Sequence, residues 1–191
     1  MAGSQINPLV SLSMYATCVI SCIYYQIYNS CTIFKIFIPF VGTYFIVDFF
    51  IEPSIQYKIH HLACSNIFVY TYYNDVKIED GVKLLYYIVI TEISSIFLVS
   101  RYWIKESSYL FYVNKALFYL TFAKYRIHDM YYGLLHHTSG LYTLVDKYTP
   151  NSIQGTIVIA SLYVLYGINV YWFIYINKKM CELFIKKRAL H

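Results

Sequence analysis

The sequence is poor in charge. Asp, Glu, Lys and Arg make up 13% of its 191 residues, about half of the ~25% usual in soluble domains. Glycine and proline are scarce as well, at seven and four residues, and no glycine-rich loop is present to cradle a phosphate. No internal repeat, low-complexity linker or polar stretch marks off a soluble domain. The five cysteines, Cys18, Cys22, Cys31, Cys64 and Cys181, include no CxxC pair, which argues against zinc sites and disulfide frameworks. Cys18 and Cys22, at i and i+4, read as small apolar residues on one helix face. Residues 1–7 lack the basic residues of a signal-peptide start, so the first apolar run is expected to be retained. A scattered basic surface of the kind that binds nucleic acid is also missing. The net charge of +5 owes much to Lys178, Lys179, Lys186, Lys187 and Arg188. Such a cluster beside a long apolar segment predicts a basic cytosolic tail over 177–191. Lys187 and Arg188 stand too far from the end for a dilysine-type retrieval signal.

What is abundant is apolar. The chain is 59% hydrophobic and 20% aromatic, with a mean hydropathy of +0.48. No soluble core of this length hides so much apolar surface. The expected class is an all-α polytopic membrane protein. The 24 tyrosines, with abundant Ile, Asn and Lys, fit an AT-rich genome such as that of a protist or large DNA virus.

A spanning helix needs roughly 20 mostly apolar residues. Residues 8–28 supply the first, with Pro8 placed to start it, and 32–51 the second, with Pro39 and Gly42 as sites of bending. The link 29–31 makes these antiparallel neighbours. A short third helix is expected over 59–73, a charged loop over 74–80 and a fourth helix over 82–100. A fifth is expected over 109–125, interrupted by Asn114 and Lys115, and a last one over 152–176. Residues 126–151 read equally as a lumenal loop with a re-entrant piece or as a short extra helix. Six spans put both termini on one side. With the basic tail cytosolic, Lys58 and the 101–106 link are cytosolic too.

Against this apolar background, His60 and His61 stand at the head of the run 62–73, with Asp48 before them and Glu92 after. Ionisable residues are costly inside lipid and normally face the bundle interior, so these four form the candidate site. Imidazole titrates near neutrality and can act as base, acid or nucleophile. Adjacent helical residues point about 100° apart, so one ring is expected to face a substrate while the other positions it. The alternative is that the pair sits at the interface and bonds to headgroups or backbone. Asp48 has His60 or His61, Lys58 and Arg101 as candidate partners, and Ser94 and Ser95 are small residues that let helices approach closely.

The blocks Tyr44-Phe45-Ile46-Val47-Asp48-Phe49, His60-His61-Leu62-Ala63 and Glu92-Ile93-Ser94-Ser95-Ile96-Phe97, closed by Arg101, resemble the TLC-domain family. That superfamily includes ceramide synthases, translocation-associated membrane proteins and lipid-homeostasis proteins, and the likeness is to its small, domain-only members. It is best over 40–132 and rests on hydropathy elsewhere, and it implies that 1–191 is a single TLC-like domain, a bundle of about six transmembrane helices around a lipid-accessible cavity. Arg126 is similar to an arginine that ends the family's fifth helix. Ile96 stands where the small members have proline, and Val99 and Tyr102 replace their asparagine and tryptophan. A fourth-helix histidine characteristic of ceramide synthases is absent. The resemblance therefore implies a protein that binds lipid and acts in membrane lipid homeostasis, at the endoplasmic reticulum or a host intracellular membrane.

The competing reading is an acyltransferase that uses acyl-CoA as co-substrate, with His60 or His61 as base or nucleophile and Asp48 or Glu92 orienting it. Ser94, Ser95, Arg101 and Arg126 would support the lipid site in either case. A di-iron hydroxylase is disfavoured, because His60, His61, His128, His136 and His137 fall in neither HxxxH nor HxxHH spacing. No metal and no resident cofactor is expected. The pair His136 and His137 reads as solvated loop histidines. Membrane lipids are the expected partners, and an oligomer is left open.

Overall fold

The computed structural model describes residues 8–28, 32–73, 77–136, 141–150 and 152–188, and every regular element among them is helical. Helix α1 is Pro8–Tyr28 and α2 is Thr32–Ile51; they pack against each other, while the link 29–31 lies outside the described residues. Pro53 ends α2, because the residue before a proline is pushed out of the α region. Glu52 makes one last helical bond, its N–H to the Asp48 carbonyl at 2.8 Å.

Helix α3, Ile55–Tyr73, starts four residues earlier than expected and runs to 19 residues. The reason is local: the Ser54 N–H is held by the Glu52 carboxylate at 3.1 Å, and the Ser54 carbonyl accepts from Lys58 N–H at 3.0 Å. His60 and His61 thus lie in the second turn of a helix rather than at its mouth. The fourth span divides into α4, Ile78–Val89, and α5, Glu92–Ser100, at a turn over Ile90 and Thr91. There the Thr91 hydroxyl donates to the Ile88 carbonyl at 2.6 Å. Of the expected loop 74–80, residues 74–76 lie outside the described set, and α4 already begins at Ile78.

Helix α6, Tyr109–Thr121, is not interrupted at Asn114. That side chain turns inward, donating to the Phe97 carbonyl and accepting from the Ser100 hydroxyl, both at 2.8 Å. Buried amides of this kind tie neighbouring helices together. The helix then continues without a gap in π form, first over Phe122–Asp129 and, after Met130, over Tyr131–Leu135. The open question over 126–151 is thereby answered for its described part: helix to Leu135, then the short α7, Leu141–Tyr148. Gly133 is required by close approach, since a Cβ there would fall 2.4 Å from the Tyr87 ring.

Helix α8, Ile153–Arg188, has 36 residues, about 54 Å at 1.5 Å per residue. That exceeds a ~30 Å hydrocarbon layer and leaves its lysine-rich end beyond one. In the bundle, α3 packs most extensively against α8 and α2, α1 against α5, and α5 against α6. Cys18 and Cys22 of α1 join Phe45, Ile67, Leu85, Met130, Leu134 and Leu162 in a single core, as their spacing suggests.

Apolar residues are equally prominent outside. Ile23, Phe40, Phe50, Val69 and Ile174 are exposed, and only 22% of the apolar stretch of α1 is buried. Among the described residues, three helical stretches are long and apolar enough to cross a membrane: Pro8–Tyr28, Asp80–Ser100 and Ile153–Glu182. At the end where α4 begins, Asp80 accepts from Lys147 at 2.7 Å and from Tyr148 at 2.9 Å, stapling α7 to α4. This hydrogen bond raises the Lys147 pKa above its ordinary value.

Candidate functional site

His60 and His61 are both buried, and their rings stand 5.5 Å apart. As the helical geometry demands, they look to different neighbours. His61 faces α2: its ring lies 5.5 Å from Phe45, and its Nδ1 comes within 3.2 Å of Asp48 Oδ2. The contact is close enough for charge interaction, but it is out of line for a hydrogen bond, and Nδ1 has no hydrogen-bond partner. His60 faces α8: its ring packs 5.4 Å from Trp172, and Nε2 meets the Cys64 sulfur at 3.9 Å. Its Nδ1 is also without a hydrogen-bond partner. Of the candidate partners for Asp48, the structure selects His61.

Glu92 pairs with Arg126 instead, at 3.6 Å. The π form inserts an extra residue per turn and so rotates side chains relative to an α register. It places Arg126 fully inside the bundle. There Nε donates to Ser94 Oγ and an Nη to Ser95 Oγ, each at 2.7 Å, while the other Nη reaches Asn169 Oδ1 on α8 at 3.2 Å. Ser94 and Ser95 therefore do more than allow close helix approach: they are acceptors for a buried cation, which is costly to bury without such partners.

Between these two groups lies a cavity of about 100 Å³. Asp48, His60, His61, Glu92, Ser95, Arg101 and Arg126 all line it, so seven of the eight expected site residues share one cavity; Ser94 stands behind them on Arg126. Arg101 is half-buried at the edge, 5.4 Å from the Tyr102 ring. The other described histidines do not join. His128 is an exposed partner of Asp129 at 2.8 Å, and His136 stacks on Tyr132. His137 lies outside the described residues. Among the described residues no group of three or more His, Cys, Asp or Glu side chains could hold a metal ion.

Several lining or supporting residues were not among the expected ones. Glu52, Tyr57 and Trp172 line the cavity, and Asn169 backs it. Glu52 had a signal: it lies one turn after Asp48, but the following Pro53 made it read as part of a link. Asn169 and Trp172 are i and i+3 on one face of an apolar helix, and Asn169 is the polar break in that run.

The cavity is well below the ~300–1,000 Å³ that encloses a whole small molecule. Its wall can hold or deprotonate a polar fragment: imidazole nitrogens and carboxylates on one side, a fixed guanidinium on the other. Comparison with protein-family models, with curated proteins and with solved structures finds no match for the chain.

Proposed function

We propose that the chain is a multi-pass membrane protein of the TLC type that binds lipid and acts in membrane lipid homeostasis. Six crossings would be made by the three long apolar helices together with α2, α3 and the α6–π helix, with the basic end of α8 in the cytosol. One observation carries the reading. Buried imidazole nitrogens without hydrogen-bond partners line a small cavity that also holds carboxylate and guanidinium groups in a bundle whose outer surface is apolar. Orphaned buried polar atoms are destabilising unless a ligand completes them. A space of this size fits a headgroup fragment, leaving the chains to run along the apolar helix faces. An endoplasmic reticulum or host intracellular membrane is the proposed location, following the TLC resemblance.

A second reading is favoured by the 3.2 Å approach of Asp48 to His61, since a carboxylate beside an imidazole holds the ring in the orientation a general base needs. In that reading the enzyme is an acyl-CoA-dependent lipid acyltransferase. The imidazole takes the proton of a lipid amine or hydroxyl as that atom attacks the thioester carbonyl, the C–S bond breaks, and the proton leaves on the thiol.

Lipid profiling of cells that express wild type, His60→Ala and His61→Ala at equal levels separates the two. A new acyl-lipid species lost in both variants establishes the transferase. Altered lipid abundance without a new species supports the binding protein. No lipid difference between wild type and the two variants would remove both readings.

A further inference from the structure

Glu52 is the acid of the cavity that the protein itself leaves unanswered. It sits in the 52–54 link between α2 and α3, with 1% of its surface exposed. Its Oε1 accepts the Ser54 N–H and helps start α3, a structural role that accounts for one oxygen. The other, Oε2, is buried and has no hydrogen-bond partner. Leaving a carboxylate oxygen buried and unsatisfied costs more than a neutral group would.

The neighbours show what would complete it. Three carboxylates, Asp48, Glu52 and Glu92, line the cavity against two guanidinium groups, Arg101 and Arg126. Arg126 is engaged by Glu92, Ser94, Ser95 and Asn169, and Arg101 leans on Tyr102. Asp48 has His61. Glu52 is the acid left over, and the cavity wall beside it carries Tyr57 and Trp172, with ring centroids 4.9 Å apart. Aromatic faces attract cations and do nothing for anions. A group that offers N–H donors and a positive charge meets both features; a phosphate or carboxylate meets neither.

We propose that Glu52, through its unpartnered Oε2, receives the ammonium of a primary-amine lipid headgroup in this cavity. The assignment rests on the cavity being a lipid site, and the experiment keeps the two apart. The full chain is prepared in maltoside micelles with Trp103→Phe, which makes Trp172 the only tryptophan. Its fluorescence is followed during titration with dodecylamine, dodecyltrimethylammonium and dodecyl phosphate. The amine is expected to bind saturably, and the trimethyl analogue, charged but without N–H, about tenfold more weakly. The phosphate is expected not to bind.

Glu52→Gln keeps an acceptor for Ser54 and removes the charge. It should weaken amine binding at least about tenfold, at unchanged helicity and melting temperature. Glu52→Asp should retain the preference for the amine. Equal amine binding by wild type and Glu52→Gln, or preference for the phosphate, overturns the assignment while leaving an amphiphile site. Failure of all three probes to perturb Trp172 overturns the lipid-site reading and the assignment together.

Discussion

Two walls of one cavity are built on opposite principles. On the π-helical side, the buried Arg126 has an acceptor for every part of its guanidinium: two serines and a glutamate from α5 and an asparagine from α8. On the α2–α3 side, His60, His61 and Glu52 are buried just as deeply, yet each keeps a polar atom with no hydrogen-bond partner. Burial of a charged or polar residue is thus not what distinguishes a binding wall from a scaffold. Completion is. The arginine closes a network that ties α5, the π helix and α8 together, and the histidine wall is left open toward the cavity.

The largest effect should come from the closed wall. Arg126→Met leaves Glu92 buried without its cation, and breaking a buried pair in this way costs about 3–5 kcal/mol. The variant should accumulate poorly and melt far below wild type in detergent. Arg126→Lys, with a point charge in place of the planar fork, should recover part of that loss but not all. A melting temperature for Arg126→Met equal to wild type would show that the network contributes nothing and that the contrast between the walls is false.

A smaller effect is expected from the register that aims Arg126. Gly133→Ala drives a methyl into the Tyr87 ring, and overpacking of this kind costs about 1–3 kcal/mol. The double variant Gly133→Ala, Tyr87→Ala should recover stability relative to the sum of the single changes, read as a double-mutant cycle in thermal melts. Strict additivity would mean that the close approach does not matter.

The open wall should behave in the reverse manner. His60→Phe removes an imidazole whose Nδ1 has no partner and keeps a ring against Trp172, so stability should change by less than about 1 kcal/mol in either direction. The lipid effect of expression should nonetheless disappear. If His60→Phe melted as low as Arg126→Met, the histidine would belong to the scaffold.

How far this was legible in the sequence follows from the physics of each residue. His60, His61, Asp48 and Glu92 stood out because ionisable groups in apolar runs demand a reason, and all four line one cavity. Arg126 could be placed only by resemblance, since no spacing rule announces a π-helical register; α periodicity carries its side chain to a different face. Asn114 read as an interruption because polarity was visible and its inward partners, Phe97 and Ser100, were not. The early start of α3 was hidden in the Glu52–Ser54 contact, a side-chain cap rather than a composition signal. For the same reason, the one acid with an unsatisfied oxygen passed as part of a link.

The smallest effect separates buried from exposed ion pairs. Lys147 and Asp80 meet at 2.7 Å, closer than Arg126 and Glu92 at 3.6 Å, so distance alone would rank the staple above the buried pair. Exposure reverses the ranking. The Lys147 side chain is 52% solvent-exposed, and exposed pairs of this kind often contribute nothing measurable. The sign of any pH dependence is also fixed. A lysine pKa raised by its partner contributes stability below the unfolded value of about 10.4 and loses it only as pH climbs through the raised value. Between about pH 6 and 9 the staple should be indifferent to pH, because Lys147 stays charged well above that range. Lys147→Met should therefore melt with wild type in detergent across that range and bind the same amphiphiles. A drop approaching that of Arg126→Met would mean that the α4–α7 end, and not the arginine network, holds the bundle together.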